Sequence, residues 1–113
     1  ATVHTMVRSL IAVGEASREA FVGRSAITLP GLNVSVQQML DALEAVAGPR
    51  VRARVKPQHD ARIAGIVANW PRGVTTPRAH ALGLHAEASF EDIIRQYIED
   101  CRRDNPQALK GMD

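Results

Sequence analysis

Seven stretches of the chain carry a regular apolar pattern, separated by Gly and Pro stops. The first runs from Thr2 to Val13. Val3, Met6, Val7, Leu10 and Ile11 recur at i, i+3, i+4, i+7 and i+8, one face of a helix that Gly14 ends. The second, Ser25 to Leu29, is short and β-leaning, and Pro30-Gly31 stops it. The third has the clearest start. Ser35 stands three residues before Gln38, the spacing of a capping box, and Val34 and Met39 occupy hydrophobic-staple positions. Val36, Met39, Leu40, Leu43, Val46 and Ala47 predict its buried stripe, and Gly48-Pro49 ends it.

The fourth stretch, Val51 to Val55, alternates. Val51, Ala53 and Val55 fall on one face of an extended chain and Arg52 and Arg54 on the other, which predicts a half-buried strand closed by Pro57. The fifth, Asp60 to Trp70, places Ile63, Ile66, Val67 and Trp70 on one helical face before Pro71. The sixth starts with Thr76 as cap and Pro77 at the first helical position, and stops at Leu82-Gly83. The seventh starts at Ser89. Phe90, Ile93, Ile94, Tyr97, Ile98 and Cys101 form its stripe, and Asn105-Pro106 ends it. The expected fold class is α/β, or α+β for the chain in isolation: a small β-α-β unit, with a right-handed crossover if its strands are parallel, surrounded by packing helices.

A chain of 113 residues is one domain at most. Its composition, 45% hydrophobic and 23% charged, is that of an ordinary globular protein. The net charge is +2, and only Lys56 and Lys110 among the 14 cations are lysines. Arg-rich, Ala-rich usage fits a GC-rich bacterial genome. A lone cysteine, Cys101, forms no internal disulfide and fits a reducing cytoplasm. No apolar run approaches the roughly 18 residues of a membrane span. The chain begins at Ala1 without methionine, and the stripe of the first helix has nothing ahead of it to pack on. Both point to a piece of something longer.

Searches for chemistry come back mostly empty. His4, His59, His80 and His85 include no i, i+4 pair and no HExxH, so no metal site is expected. Cys101 lies on an apolar stripe, where a buried inert thiol is expected. No serine sits in a G-x-S-x-G turn, and the glycines are too scattered for a phosphate loop. Arg50, Arg52, Arg54 and Lys56 make a basic ribbon able to track a phosphate backbone. No aromatic is interleaved with it for base stacking, and a solvated strand face is the blander reading. Trp70-Pro71-Arg72 lies between a helix and a capped turn. It reads either as core or as a pocket wall with Arg72 as the anion or hydroxyl donor.

The order of these pieces carries more information than any one of them. A helix, then LPGLNVSVQQMLDALEAVAG, then ARIAGIVANWP, RAHALGL and SFEDIIRQYIED, resembles the C-terminal part of extended short-chain dehydrogenases/reductases, the group of the NAD-dependent epimerases and dehydratases. Within it the LPGL, IVxxWP and RAxALG segments look most like the D-erythronate dehydrogenase subfamily, which oxidises four-carbon sugar acids with NAD. The resemblance spans Val3 to Asp100. It implies that residues 1–14 are the last helix of the Rossmann side, residues 15–104 the substrate-side domain and residues 105–113 a frayed tail. The family's Gly-rich turn and Tyr-x-x-x-Lys pair are absent, since Cys101 follows Tyr97 at the fourth position and the stripe makes Tyr97 core. No catalytic, cofactor or metal residue therefore carries over. Thr75-Thr76 stands where the family has an acidic cap, and Leu84 where it has an aromatic.

The resemblance thus implies a substrate-binding part of an NAD-dependent oxidoreductase acting on a small sugar acid or nucleotide sugar. Trp70, Pro71 and Arg72 would contact substrate, and the missing Rossmann domain would be the partner. This chain alone would be inactive. The alternatives are a stand-alone homodimeric binding module, hiding the first and seventh helices in a homo-oligomer, and a weak RNA-binding module using Arg50 to Lys56.

Overall fold

Side-chain caps set where the helices begin. In the computed structural model, which describes residues 1–21 and 26–112, the Thr2 hydroxyl accepts from the Thr5 N–H and opens α1, Val3–Glu15. Ser35 and Gln38 close a reciprocal capping box ahead of α2, Val36–Ala47. Asp60 accepts from the N–H groups of Arg62 and Ile63 at the start of α4, Ala61–Val67. Ser89 accepts from Asp92 at the start of α6, Phe90–Asp104. Between these lie α3, Pro49–Arg52, and α5, Pro77–Ala81. Short 3₁₀ turns occupy Arg18–Ala20 and Pro106–Leu109. α1 runs through Gly14, the expected stop, for one more residue.

The expected α/β class is wrong: among the described residues there is no strand, so there is no β-α-β unit. Val51–Val55 is not extended. Gly48 ends α2 at φ 89°, and Pro49 then takes the first position of α3, where its missing N–H costs nothing. The chain winds on through Arg54 and Val55, whose N–H groups donate to the carbonyls of Val51 and Arg52. Over five residues an alternating pattern also puts Val51 and Val55 at i and i+4, one face of a helix. The other expected strand starts at Ser25, outside the described residues. Its remainder, Ala26–Leu29, has no regular structure. With no partner ladder, neither segment could satisfy its backbone as sheet.

α2 packs against α3 and α6, and α6 carries the final 3₁₀ turn. Among the described residues the buried apolar side chains are Ala42, Ala79, Leu84, Ile98 and Cys101. All but Leu84 and Ile98 are small, so the core is thin. Val36, expected on the buried stripe, is exposed, and the rest of that stripe is half-buried. Tyr97, expected as core, is exposed as well. The molecule measures 51 × 39 × 19 Å, with a Cα radius of gyration of 17.5 Å. A compact domain of this length would have about 13 Å.

The excess reflects faces left uncovered. α1 buries Thr5 and Ser9, its polar side, while Val3, Val7, Leu10 and Ile11 stand open. α4 buries none of its residues, and Ile63, Ile66, Val67 and Trp70 are exposed. α1 is held by polar ties instead. The Thr2 N–H donates to the Glu87 carboxylate, and His4 Nε2 lies 2.8 Å from Asp100 Oδ1 on α6. Arg103 bonds Asp100 at 3.1 Å and Asp104 at 2.8 Å, extending the network along the surface of α6.

α5 ends in a Schellman turn. The Leu84 N–H donates to the Ala79 carbonyl and the Gly83 N–H to that of His80, with Gly83 at φ 76°. This folds Leu84 back, and both Leu84 and Ala79 are buried. Leu84→Ala should cost about 2–4 kcal/mol in urea unfolding, because it leaves a cavity in a core with little to fill it. Burial pushes the Glu87 carboxyl up, but hydrogen bonds from the backbone N–H groups of Thr2 and Glu87 itself outweigh it and hold the pKa at about 2, against 4.5 ordinarily. A lowered folded pKa stabilises above the unfolded value, so this contribution should be intact above pH 4.5 and fade as pH falls toward 2. Glu87→Gln should lower the unfolding midpoint at neutral pH and flatten its pH dependence across that window.

Candidate functional site

The Trp70-Pro71-Arg72 corner follows the turn that closes α4, where the Trp70 N–H donates to the Val67 carbonyl. Pro71 has no N–H to continue the helix and turns the chain toward α5. All three residues are exposed, Trp70 to 65%. Among the described residues Arg72 has neither an ion pair nor a side-chain hydrogen bond. Its guanidinium and the indole face are both open to a ligand.

A residue that the sequence did not single out closes on this corner. A Cβ placed on Gly73 would lie 2.9 Å from Asn33 Nδ2, so the Asn33 side chain rests directly over Gly73. The LPGLN segment is thereby brought against the Arg72-Gly73-Val74 segment. The available signal was the pairing of a loop Asn with a loop Gly, which no periodicity reports.

Between these two segments and α5 lies a cleft of about 530 Å³, lined by Pro30, Gly31, Val74, Thr75, Thr76 and His80 among others. Its size falls in the usual range for small-molecule sites. The His80 and His85 rings stack, with centroids 6.2 Å apart and planes at 24°. A smaller cavity of about 130 Å³, lined by Ile27, Thr28 and Arg78, shares Thr75, Thr76 and Pro77 with it.

The other residues considered for chemistry lie apart from this cleft. Cys101 is buried on α6. A hydrogen bond to the Cys101 thiol pushes the Tyr97 hydroxyl further up from its ordinary pKa of 10, away from any role as a base near neutrality. His4 is committed to Asp100. Among the described residues no group of three or more His, Cys, Asp or Glu side chains is placed to hold a metal ion. The supposed basic ribbon is a helical turn, not a strand. Arg54 within it donates to the Gly111 carbonyl and Arg52 to that of Val55. Among the described residues no helix is long and apolar enough to cross a membrane.

A dinucleotide needs a Gly-rich turn that presents backbone N–H groups at the start of a helix. Among the described residues the glycines with positive φ, Gly48, Gly83 and Gly111, stand singly: Gly48 joins α2 to α3, where Pro49 offers no N–H, and Gly83 follows Leu82, the C-cap of α5. The described residues do not make such a cradle, and no chemical step through NAD can be built on them.

Comparison with known proteins bears out the resemblance. The chain is 40% identical over 94 residues to D-erythronate dehydrogenase of Cupriavidus necator, a match covering 83% of this chain and 29% of that protein. It is 40% identical over 73 residues to D-erythronate dehydrogenase of Haemophilus influenzae, covering 65% of this chain and 23% of the relative. Both matches fall on the C-terminal part of the relative. The chain therefore spans less than a third of the length of the curated relatives it matches. No family model matches the chain, and no solved structure matches it significantly.

Because the Asn33 amide is the far end of a flexible side chain, Gly73→Ala should displace it at little cost. Stability should stay within about 0.5 kcal/mol of the parent. The Asn33 side-chain NH₂ resonances should shift in a ¹⁵N–¹H spectrum.

Proposed function

We propose that this chain is the substrate-side part of an NAD-dependent dehydrogenase that oxidises a small sugar acid. The observation that carries this is the 40% identity over 94 residues to the C-terminal part of D-erythronate dehydrogenases. The uncovered stripes of α1 and α4 support it, since an amphipathic helix gains its stability by covering its apolar face. In this reading a nucleotide-binding Rossmann part covers at least the α1 stripe and supplies the cofactor site and the catalytic groups.

The Trp70-Pro71-Arg72 corner would be this chain's contribution to substrate binding. A guanidinium binds a carboxylate through two parallel, charge-assisted hydrogen bonds. The indole beside it would cover the C–H face of a short carbon chain. Arg72 would thus hold the acid end of the substrate, fixing which hydroxyl reaches the reacting centre. A nucleotide sugar, whose phosphates Arg72 would bind equally well, is the other substrate class. A cytoplasmic location fits the single buried thiol.

The test is dehydrogenase turnover by the whole reading-frame product that contains this chain. NAD reduction should be saturable with D-erythronate or a closely related sugar acid. Arg72→Ala should raise KM about tenfold or more, the worth of a charge-assisted hydrogen bond, with kcat changed far less. Absence of NAD-dependent oxidation across sugar acids and nucleotide sugars would overturn the proposal. Sedimentation of the chain alone checks the rival: a tight homodimer burying α1 would favour a stand-alone module.

A further inference from the structure

A second cavity, of about 370 Å³, lies where the end of α2, the face of α6 and the tail after α6 meet. It shares no lining residue with the cleft beside α5 and none with the Trp70 corner. Its walls are apolar. Val46 and Ala47 come from α2, Ile98 from α6, and Leu109 and Met112 from the tail. Ile98 is buried and the other four are half-buried.

The tail forms a held wall. Its 3₁₀ turn, Pro106–Leu109, packs on α6. The Met112 N–H donates to the Leu109 carbonyl, and Arg54 donates to the carbonyl of Gly111. Gly111 stands at φ 82°, and a Cβ there would lie 3.0 Å from Arg54 Nη2. Glycine meets both demands, since it adopts positive φ freely and leaves room for the guanidinium.

The charged side chains on the lining are Arg102 and Lys110, and no carboxylate lies beside them there. Neither side chain makes an ion pair or a hydrogen bond. The α6 dipole accounts for a cation such as Arg102 in its last turn. Lys110 lies beyond that helix, and the dipole does not account for it.

We propose that this cavity binds a short aliphatic carboxylate, its charge held by Arg102 and Lys110 and its alkyl chain laid against Val46, Ala47, Ile98 and Met112. The site is independent of the dehydrogenase reading. The lining carries no hydroxyl, amide or imidazole side chain, so a polyhydroxylated chain would lose water there without replacement. It carries no aromatic for base stacking, which disfavours nucleic acid. Its size is near the roughly 300 Å³ at which small-ligand pockets begin. The ligand would tie Lys110 on the tail to Arg102 on α6 and pin the tail in place.

Titration of the ¹⁵N-labelled chain with hexanoate, butyrate, 1-hexanol and D-erythronate tests this. Hexanoate should give saturable shifts at Val46, Ala47, Arg102, Leu109 and Met112, and amide exchange at Met112 should slow. Butyrate, two methylenes shorter, should bind about tenfold weaker. Without the charge, 1-hexanol should also bind about tenfold weaker. D-erythronate should leave these residues unmoved. Ala47→Leu fills the cavity from α2 and should weaken hexanoate at least about tenfold. Arg102→Ala combined with Lys110→Ala should bring hexanoate down to the affinity of 1-hexanol. Both cations are exposed, so this variant keeps its fold and decides the matter even if Ala47→Leu does not.

Hexanoate shifts spread over the open stripes of α1 and α4 would mark adsorption to any apolar surface and overturn the inference. So would equal affinity for hexanoate and 1-hexanol, equal affinity for hexanoate and butyrate, or unchanged hexanoate binding in the double variant.

Discussion

An amphipathic helix needs something to cover its apolar face, and in this chain two of the helices lack it. α1 turns Thr5 and Ser9 inward and leaves Val3, Val7, Leu10 and Ile11 in solvent. α4 covers nothing. What remains as a core is a few side chains around α2, α5 and α6, most of them small. The flat, wide shape follows from that arrangement. So does the reliance of α1 on polar ties to Glu87 and Asp100, which are weaker and more sensitive to pH than apolar packing.

Within those limits, local backbone chemistry does most of the positioning. The Schellman turn at Leu82-Gly83-Leu84 fixes the end of α5 and buries Leu84 behind it. Pro77 fixes its start. Between these two devices α5 can be only five residues long, and that short helix holds Thr76 and His80 at the cleft while Leu84 anchors it from the other side. On the opposite wall, Gly73 has no side chain, and this lets Asn33 lie against the chain beside Arg72. The candidate site is built from loops, one ending at the Ser35 capping box and the other at Pro77, the first residue of α5.

Similarity to D-erythronate dehydrogenases and the uncovered faces bear on the same question from different sides. The first concerns ancestry and covers less than a third of each relative. The second concerns energetics and holds whatever the ancestry. Both would be met by the proposed arrangement, in which a larger body would cover α1 and contribute the catalytic chemistry.

Much of the helical layout was determined by the sequence, because it depends on contacts within a few residues. The capping box at Ser35, the caps at Thr2, Asp60 and Ser89, and the stop at Gly83 all act over three to five positions. The order of the stops also carried the resemblance. Val51–Val55 was misread because period 2 and period 3.6 coincide at i and i+4, and only the absence of a partner strand tells them apart. Tyr97 was misread because a stripe says which residues share a face, not whether a neighbour covers it. The cleft and the resting place of Asn33 were decided by tertiary structure alone. They join residues about forty positions apart, and nothing in either local segment encodes the other.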